Sequence, residues 1–186
     1  MNLQLHHFVP ISYANGPGAR VVVWVQGCTL GCPNCFNPET HPANSGQQLS
    51  VDTLFAQIVA LGDQIEGVTI SGGEPLQQSD AVVALLQRIK AETSLSVVLF
   101  TGFYRHEIER MASHALLLGC VDVLIAGRYD PTKHRGDALL GSGNQTVELL
   151  SERYSRAEVD ATPPTEIIIM PGGRVIVSGI DPVLLE

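Results

Sequence analysis

Three cysteines in one short segment are the residues of this sequence best suited to chemistry. Cys28, Cys32 and Cys35 stand at spacings of four and three residues in the segment GCTLGCPNCF, directly after an apolar run. Closely spaced thiolates hold iron–sulfur clusters or, together with a fourth ligand, a zinc ion. Because Gly27 and Gly31 let the backbone curl, all three sulfurs can reach one centre.

The number of ligands separates the two kinds of metal site. A structural zinc site takes four ligands, and His41 is the residue near the cysteines that offers a fourth. A four-iron cube held by three thiolates instead leaves one iron open to a substrate, which suits chemistry better than passive electron transfer. The spacing therefore favours one 4Fe-4S cluster on the three cysteines and keeps zinc as the alternative. Cys120 lies in the apolar run LLLGCVDVLIA and is expected in the core.

Composition describes an ordinary globular protein. The chain has 186 residues, of which 45% are hydrophobic and 16% charged, and this suits one domain over residues 1–186. A net charge of −8 gives no basic surface for nucleic acid. The opening residues lack a signal-peptide pattern, and no apolar stretch approaches the roughly 20 residues of a membrane span. We therefore expect a cytoplasmic protein with neither a membrane nor a nucleic-acid partner, in a compartment where clustered thiols bind metals.

Predicted strands and helices alternate along most of the chain. Apolar, β-branched runs predict strands at residues 20–26, 68–70, 97–100 and 121–126, and helical periodicity predicts helices over residues 51–65, 79–89 and 104–114. Strands separated by helices pair in parallel through right-handed crossovers. The pattern predicts an α/β fold built as an open or partial (β/α) barrel of mostly parallel strands, with a flat doubly wound sheet as the alternative.

The alternation weakens towards the carboxyl end. A strand at residues 146–150 and a short helix at 152–159 precede two strands at 167–170 and 174–177, which flank a Pro-Gly-Gly turn. The core of the domain is thus expected at about residues 15–150. Residues from about 160 to 186 form a short strand extension without an assigned role.

Glycines follow three of the predicted strands. Gln26-Gly27-Cys28, Ser71-Gly72-Gly73 and Thr101-Gly102 stand directly after the carboxyl ends of these strands. Open α/β sheets and β/α barrels bind ligands at that edge, and glycine lets the backbone approach a ligand closely. The sequence therefore predicts a ligand site next to the three thiols.

These motifs resemble those of the radical S-adenosylmethionine superfamily. The segments NGPGAR at residues 15–20, CPNCFN at 32–37, SGGEPL at 71–76, TGF at 101–103, GRY at 127–129 and GSGNQ at 141–145 stand in an order similar to that of the activating enzymes of glycyl-radical enzymes. Within that type they are most similar to activators of anaerobic ribonucleotide reductase. The resemblance covers roughly residues 15–147.

The resemblance implies two cofactors and a set of residues that hold them. Cys28, Cys32 and Cys35 would ligate one 4Fe-4S cluster, whose fourth iron would bind the methionyl group of S-adenosyl-L-methionine. On the cysteine loop, the residues expected next to the adenine are Asn34, Cys35 and Phe36. In the second glycine motif, Gly72 and Gly73 would approach the methionyl group, and Glu74 would set the turn.

The resemblance also implies the reaction. One electron, supplied by reduced flavodoxin or a similar donor, would cleave S-adenosyl-L-methionine to a 5′-deoxyadenosyl radical, which takes a hydrogen atom from a glycine of the partner glycyl-radical enzyme, most closely anaerobic ribonucleotide reductase. Because the cofactor carries this chemistry, no side chain is nominated as acid, base or nucleophile. Two alternatives stay open: a radical enzyme acting on a small molecule, a peptide or RNA, and a zinc-binding or iron–sulfur adaptor without radical chemistry.

Overall fold

A central sheet organises the protein. The computed structural model describes residues 1–169, 172–173 and 175–180, and within them seven strands form one sheet in the order β3-β1-β2-β4-β5-β6-β9. Two small hairpins, β7-β8 and β10-β11, lie outside this sheet. The strands are β1 (Asn2–Ser12), β2 (Arg20–Val25), β3 (Gln47–Ser50), β4 (Gly67–Gly72), β5 (Ser96–Thr101), β6 (Val123–Ala126), β7 (His134–Asp137), β8 (Leu140–Ser142), β9 (Thr146–Leu149), β10 (Thr165–Ile169) and β11 (Val175–Gly179).

The helices are mostly short. They are α1 (Val51–Val59), α2 (Ser79–Glu92), α3 (Arg105–Ile108), α4 (His114–Cys120) and α5 (Arg156–Asp160), with 3-10 turns at Pro38–Thr40, Gly62–Gln64, Pro75–Gln78 and Pro131–Lys133. Of these, α2, α3 and α4 connect neighbouring parallel strands. None of the helices in the described ranges is long and apolar enough to cross a membrane.

The centre of the sheet is parallel and its flanks are antiparallel. β2, β4, β5 and β6 pair in parallel, so that their carboxyl ends lie at one edge. β1 and β3 on one side and β9 on the other pair antiparallel. The predicted α/β fold with a mostly parallel sheet is therefore confirmed. The sheet is open, with β3 and β9 at its ends, and the description as a partial barrel stays a prediction.

Each face of the sheet is covered differently. Residues of α1 to α4 pack against one face of the sheet and form the main hydrophobic core with it. β2 contributes Val21, Val23 and Val25 to this core. On the other face Val98, Val123 and Ile125 pack with Leu139, Leu140 and Val159 from the segment after β6. Burial on both faces explains why these strands are continuously apolar in sequence.

A buried arginine ties the amino ends of the parallel strands together. Arg20 is fully buried, and its guanidinium donates to the Thr69 hydroxyl at 2.9 Å, the Val68 carbonyl at 2.9 Å and the Ser96 hydroxyl at 3.0 Å. It also donates to the Tyr154 hydroxyl at 3.1 Å, from the segment before α5. Arg20 thus has a structural role, at the end of the sheet opposite the cysteines.

Several element boundaries differ from the predictions. The helix expected over residues 51–65 ends at Val59, because a 3-10 turn with Gly62 at φ 54° follows. The helix expected over 104–114 is replaced by α3 and α4. Ser79 is the first residue of α2 and not the N-cap that its residue type predicts, because the preceding 3-10 turn makes Gln78 the N-cap, without a side-chain hydrogen bond. β1 and β3 were not predicted.

The carboxyl-terminal strands form a hairpin against β1. β10 and β11 pair antiparallel with Ile167 opposite Val177, while residues 170 and 174, which the sequence assigns to these strands, lie outside the described residues. The Glu166 carboxylate accepts hydrogen bonds from the Ser12 hydroxyl and, at 2.8 Å, from the main-chain N–H of Tyr13. The Asn15 amide donates to the Ser178 hydroxyl at 2.8 Å. The predicted extension is thus a hairpin anchored at the end of β1.

Candidate functional site

A cavity opens at the carboxyl ends of β2, β4, β5 and β6. All three clustered cysteines line it, as do Gly72, Gly73 and Glu74 at the end of β4. The structure therefore brings together the two motifs that the sequence predicts to share a site. Phe36 and Asn37 of the cysteine loop also line it, whereas Asn34 is exposed on the same loop.

Positive backbone angles shape the cysteine loop. Gly27, Gly31 and Asn34 have φ values of 98°, 67° and 52°, in the region that glycine adopts freely and asparagine tolerates better than most residues. These reversals let the loop present its sulfurs to one cavity, with Cys28, Cys32 and Cys35 half-buried as free thiols. The curl expected from Gly27 and Gly31 is confirmed.

The two arms of the loop are bonded to each other. The main-chain N–H groups of Gly27 and Cys28 donate to the carbonyls of Thr40 at 2.7 Å and His41 at 3.1 Å. The Gln26 side-chain amide adds a bond of 2.8 Å to the Pro42 carbonyl. The returning chain is therefore fixed beside the first cysteine, and Gln26 takes part although its sequence context gave no sign of this.

A second glutamine fixes the loop to the end of β4. The main-chain N–H of Thr29 donates to the Gln77 side-chain oxygen at 3.1 Å, and the Gln77 amide donates to the Thr29 hydroxyl at 2.7 Å. Gln77 stands three residues after Glu74 in the 3-10 turn, so one short segment contributes to the cavity and supports the cysteine loop.

The three thiols share one cavity but do not form a compact site for a single ion. In the described part of the chain no three His, Cys, Asp or Glu side chains lie close enough together to hold one metal ion, and His41 forms no such group with the cysteines. The three thiols nevertheless line one cavity, as expected for ligands spread around a multi-iron cube. Burial raises the pKa of the Cys28 thiol, and the Glu74 carboxylate and the two other thiols raise it further. Iron ions would compensate this concentration of negative charge.

The glycines at the end of β4 lie against neighbouring backbone. A Cβ on Gly72, which has φ 105°, would come within 2.4 Å of the Val25 nitrogen, and one on Gly73 would come within 2.4 Å of the Gly27 carbonyl oxygen. The main-chain N–H of Gly73 donates to the Val25 carbonyl at 2.8 Å. Glycine is therefore required here by the contact between β2 and β4, in addition to any contact with a ligand.

Glu74 joins the ends of two strands. Its buried carboxylate accepts hydrogen bonds from the Leu76 N–H at 2.8 Å, the Thr101 hydroxyl at 2.7 Å and the Gly102 N–H at 2.8 Å. Burial raises the pKa of this carboxyl group, and the three hydrogen bonds oppose the shift. Because both oxygens are occupied by these donors, Glu74 fixes the geometry of the cavity edge.

Aromatic rings form one wall of the site. The rings of Phe36 and Tyr129 lie 4.4 Å apart between centroids, and the His134 ring lies 5.9 Å from Phe36. Gly141 makes room for this contact, since a Cβ there would come within 2.8 Å of the Phe36 ring. The residue before Tyr129 has another role: Arg128 pairs with Glu107 at 2.6 Å.

Other lining residues carry no chemical signal in the sequence. Gln145 lines the cavity, but its side chain is occupied by the Gly141 N–H at 3.0 Å and the Gly127 carbonyl at 2.9 Å, which gives it a structural role. Sequence reasoning missed the apolar part of the lining, because most of it comes from segments far from the cysteines: Phe100, Ile125, Leu139 and Ile180. Leu30, which also lines the cavity, lies on the cysteine loop itself.

Comparison with known proteins agrees with this geometry. The family model described as "4Fe-4S single cluster domain" matches residues 14–148. The anaerobic ribonucleoside-triphosphate reductase-activating protein of Salmonella typhi is 32% identical over 80% of this chain and 99% of its own length. The protein of the same name from Vibrio cholerae is 31% identical over 78% of this chain and 97% of its own.

A more distant relative comes from another branch of the activating enzymes. The pyruvate formate-lyase-activating enzyme of Staphylococcus epidermidis is 28% identical over 90% of this chain and 68% of its own length. The Salmonella protein is covered almost completely by 80% of this chain, so about a fifth of this chain has no counterpart in that relative.

Proposed function

Since the chain belongs to the family of anaerobic ribonucleoside-triphosphate reductase-activating proteins, radical S-adenosylmethionine enzymes that activate glycyl-radical enzymes, we propose that it activates an anaerobic ribonucleotide reductase. In the proposed reaction S-adenosyl-L-methionine held beside Cys28, Cys32 and Cys35 would accept one electron, and cleavage of its sulfur–C5′ bond would give methionine and a 5′-deoxyadenosyl radical. The radical takes a hydrogen atom from the Cα of a glycine in the partner, leaving 5′-deoxyadenosine and a glycyl radical. The single observation that carries this proposal is the meeting of three thiols with the glycine-rich end of β4 in one cavity.

Cys28, Cys32 and Cys35 would hold one 4Fe-4S cluster in this cavity. When bound, the cluster supplies the electron that cleaves S-adenosyl-L-methionine. The hydrogen bonds from Gln26 and Gln77 keep the loop in shape around it. The protein thereby fixes where the electron is delivered.

The two halves of S-adenosyl-L-methionine would lie against different walls. We assign the adenine to Asn34, Cys35 and Phe36, with Tyr129 beside Phe36 extending the aromatic surface. The methionyl group is assigned to Gly72 and Gly73, whose main chain borders the cavity. Glu74 acts as a positioning residue, since its carboxylate is already bonded to three groups of the protein.

The apolar lining would protect the radical. Phe100, Ile125 and Leu139 line the cavity and present no hydrogen-bonding side chain to it. Exclusion of water from such a cavity prevents side reactions of a reactive intermediate. In this proposal the cysteine loop and β4 contact the cofactors, whereas β5, β6 and the segment after β6 shield the radical from water.

An external donor must deliver the electron, and we propose reduced flavodoxin or a similar protein. Gly31, Pro33 and Asn34 are exposed, so the cysteine loop reaches the surface where a redox partner can approach. We place the reaction in the cytoplasm, where thiols stay reduced.

Anaerobic reconstitution followed by activation tests the proposal. The reconstituted protein is expected to bind about four irons per chain, to cleave S-adenosyl-L-methionine under reductant, and to generate a glycyl radical on an added anaerobic ribonucleotide reductase, detected by electron paramagnetic resonance. Cleavage to 5′-deoxyadenosine without a glycyl radical would favour a radical enzyme with another substrate. Bound zinc in place of iron would overturn the enzymatic proposal in favour of an adaptor.

A further inference from the structure

We infer that Ile180 is a substrate-positioning residue, carried into the radical site by the carboxyl-terminal hairpin. Ile180 lines the same cavity as Cys28, Cys32 and Cys35, although it stands 145 residues after Cys35 in the chain. It borders this cavity together with Phe100, Ile125 and Leu139. The inference rests on the proposed function, because it assigns Ile180 to the path by which the partner's glycine reaches the radical.

The backbone at the end of β11 directs Ile180 towards the cavity. Gly179 has φ 131°, and a Cβ there would come within 2.2 Å of the Pro164 carbonyl oxygen, so only glycine fits this turn without strain. The main-chain N–H of Ile180 donates to the same carbonyl at 2.9 Å. The position of Ile180 is therefore fixed through its main chain.

The hairpin that carries Ile180 is anchored to the body of the protein. Glu166 on β10 bonds to Ser12 and Tyr13, and Ser178 on β11 bonds to Asn15. These contacts lie at both strands of the hairpin, next to the turn at Gly179. Ile180 is thus held by a supported element, as a residue that shapes a site must be.

The hairpin lies outside the residues that the family model matches. The family model ends at residue 148, before β10 begins at Thr165. The Salmonella relative is covered over 99% of its length by 80% of this chain. Ile180 therefore lies outside the residues that the family model matches, and we assign its place in the cavity to the choice of the substrate segment that enters.

The chemistry of isoleucine fits such a role. Its side chain has no polar group that could hold water next to the radical, and its branched Cβ restricts χ1, which makes it a stiff wall. A branched apolar side chain at the border of the cavity favours a chain segment without a side chain at the reacting position, which is what a glycine offers. We assign Ile180 the role of aligning the glycine-bearing segment and keeping water out.

Variants at residue 180 test this role, with Ile167→Ala as the matched control. Ile167 is on the same hairpin but 53% exposed, and it does not line the cavity. In the reconstituted enzyme Ile180→Ala is expected to keep its iron content and to lower the number of glycyl radicals formed per 5′-deoxyadenosine by about threefold or more. Ile180→Phe is expected to lower the same ratio by blocking the opening.

A second readout does not depend on catalysis. Removal of iron from the reconstituted protein by an external chelator is expected to be faster in Ile180→Ala than in the wild type, and unchanged in Ile167→Ala. If both Ile180 variants match the wild type in coupling ratio and in chelator rate, the role of Ile180 is overturned while the activase function stands. If the wild type itself forms no glycyl radical, the proposed function fails instead.

Discussion

The hydroxyl of Thr101 donates a hydrogen bond of 2.7 Å to the carboxylate of Glu74, which joins the ends of two neighbouring parallel strands at the edge of the cavity. The other carboxylate oxygen accepts the Gly102 N–H at 2.8 Å. A side-chain amide cannot accept at both positions, so Glu74→Gln leaves one buried donor without a partner. We expect it to lower the free energy of unfolding by about 1–3 kcal/mol and to weaken S-adenosyl-L-methionine binding.

Urea unfolding and ligand titration measure these two effects of Glu74→Gln. Thr101→Ser is the matched control, because it keeps the hydroxyl that donates to Glu74. A glutamine variant as stable as the wild type would show that Glu74 does not hold the strand ends together.

Cys32→Ala is expected to prevent cluster assembly and to leave the fold largely intact. Cys32 is half-buried on a loop outside the sheet, whereas Cys120 is buried in the main core. The measurements are iron content after reconstitution and the thermal unfolding midpoint. Cys120→Ala should show the reverse pattern, with normal iron and reduced stability. Full cleavage activity in Cys32→Ala would refute the assignment of this ligand.

Gly73→Ala is expected to disrupt the site, because its Cβ would come within 2.4 Å of the Gly27 carbonyl oxygen. Backbone atoms cannot yield as the end of a side chain can, so the end of β4 must move away from the cysteine loop. We expect a loss of S-adenosyl-L-methionine affinity of at least about tenfold, or roughly 1.4 kcal/mol, measured by titration of the reconstituted protein.

Gly119→Ala is the control for this glycine. Gly119 lies in α4, and a Cβ there meets no atom within 4 Å. Because alanine favours helix, that variant should be stabilised by up to about 1 kcal/mol and bind S-adenosyl-L-methionine normally. Normal binding by Gly73→Ala would mean that the contact between β2 and β4 tolerates a side chain.

Arg20→Met is expected to lower the free energy of unfolding by about 1–3 kcal/mol, since it leaves buried acceptors without the donor that the guanidinium now provides. The groups affected include the carbonyls of Val68 and Ser96, at 2.9 and 3.2 Å. Arg88→Met is the comparison, because that arginine makes its ion pairs with Asp52 and Glu92 on the surface. Equal unfolding midpoints for the two variants would contradict the structural role of Arg20.

The ion pair of Glu107 with Arg128 predicts a pH dependence. Hydrogen bonding to Arg128 lowers the pKa of Glu107 to about 2. A carboxyl group whose pKa is lowered by folding stabilises the fold at pH values above its pKa in the unfolded chain. This contribution is lost as the pH falls from about 4.5 towards 2. Since the pair is partly exposed to solvent, we expect a contribution of about 1 kcal/mol.

Comparison of the wild type with Glu107→Gln isolates this contribution, because all other titrating groups are common to both. The difference in unfolding free energy, measured in urea from pH 6 to pH 3, should shrink as the pH falls. A difference that stays constant over this range would show that the pair contributes no pH-dependent stability.

Local sequence patterns predicted the parallel centre of the sheet but missed its flank. The run from Val21 to Val25 holds four buried valines and one tryptophan, so its strand character is visible in the sequence alone. β1 was missed because polar residues interrupt it. In the structure these residues are satisfied by distant partners: His6 Nδ1 lies 2.9 Å from the Gln26 side-chain oxygen, and the Gln4 N–H donates to Gln78 at 2.8 Å. Because these partners lie far away along the chain, the contacts produce no periodic pattern in the local sequence of β1.

The same limit applies to the site. Cys28, Gly72 and Glu74 were nominated because their residue types, and their positions directly after predicted strands, are informative in themselves. Leu139 and Ile180 border the same cavity, but an aliphatic residue far along the chain carries no sign that it faces a thiol. Sequence reasoning therefore predicted the chemical half of the cavity, and the structure was needed for the apolar half.

The bond between Ser12 and Glu166 joins residues 154 positions apart, and this has a consequence for the order in which the protein matures. Synthesis on the ribosome releases Ser12 long before Glu166, so this bond cannot form until the carboxyl-terminal part of the chain has been made. The cysteine loop and β1 are therefore complete before the hairpin that brings Ile180 to the cavity can be anchored.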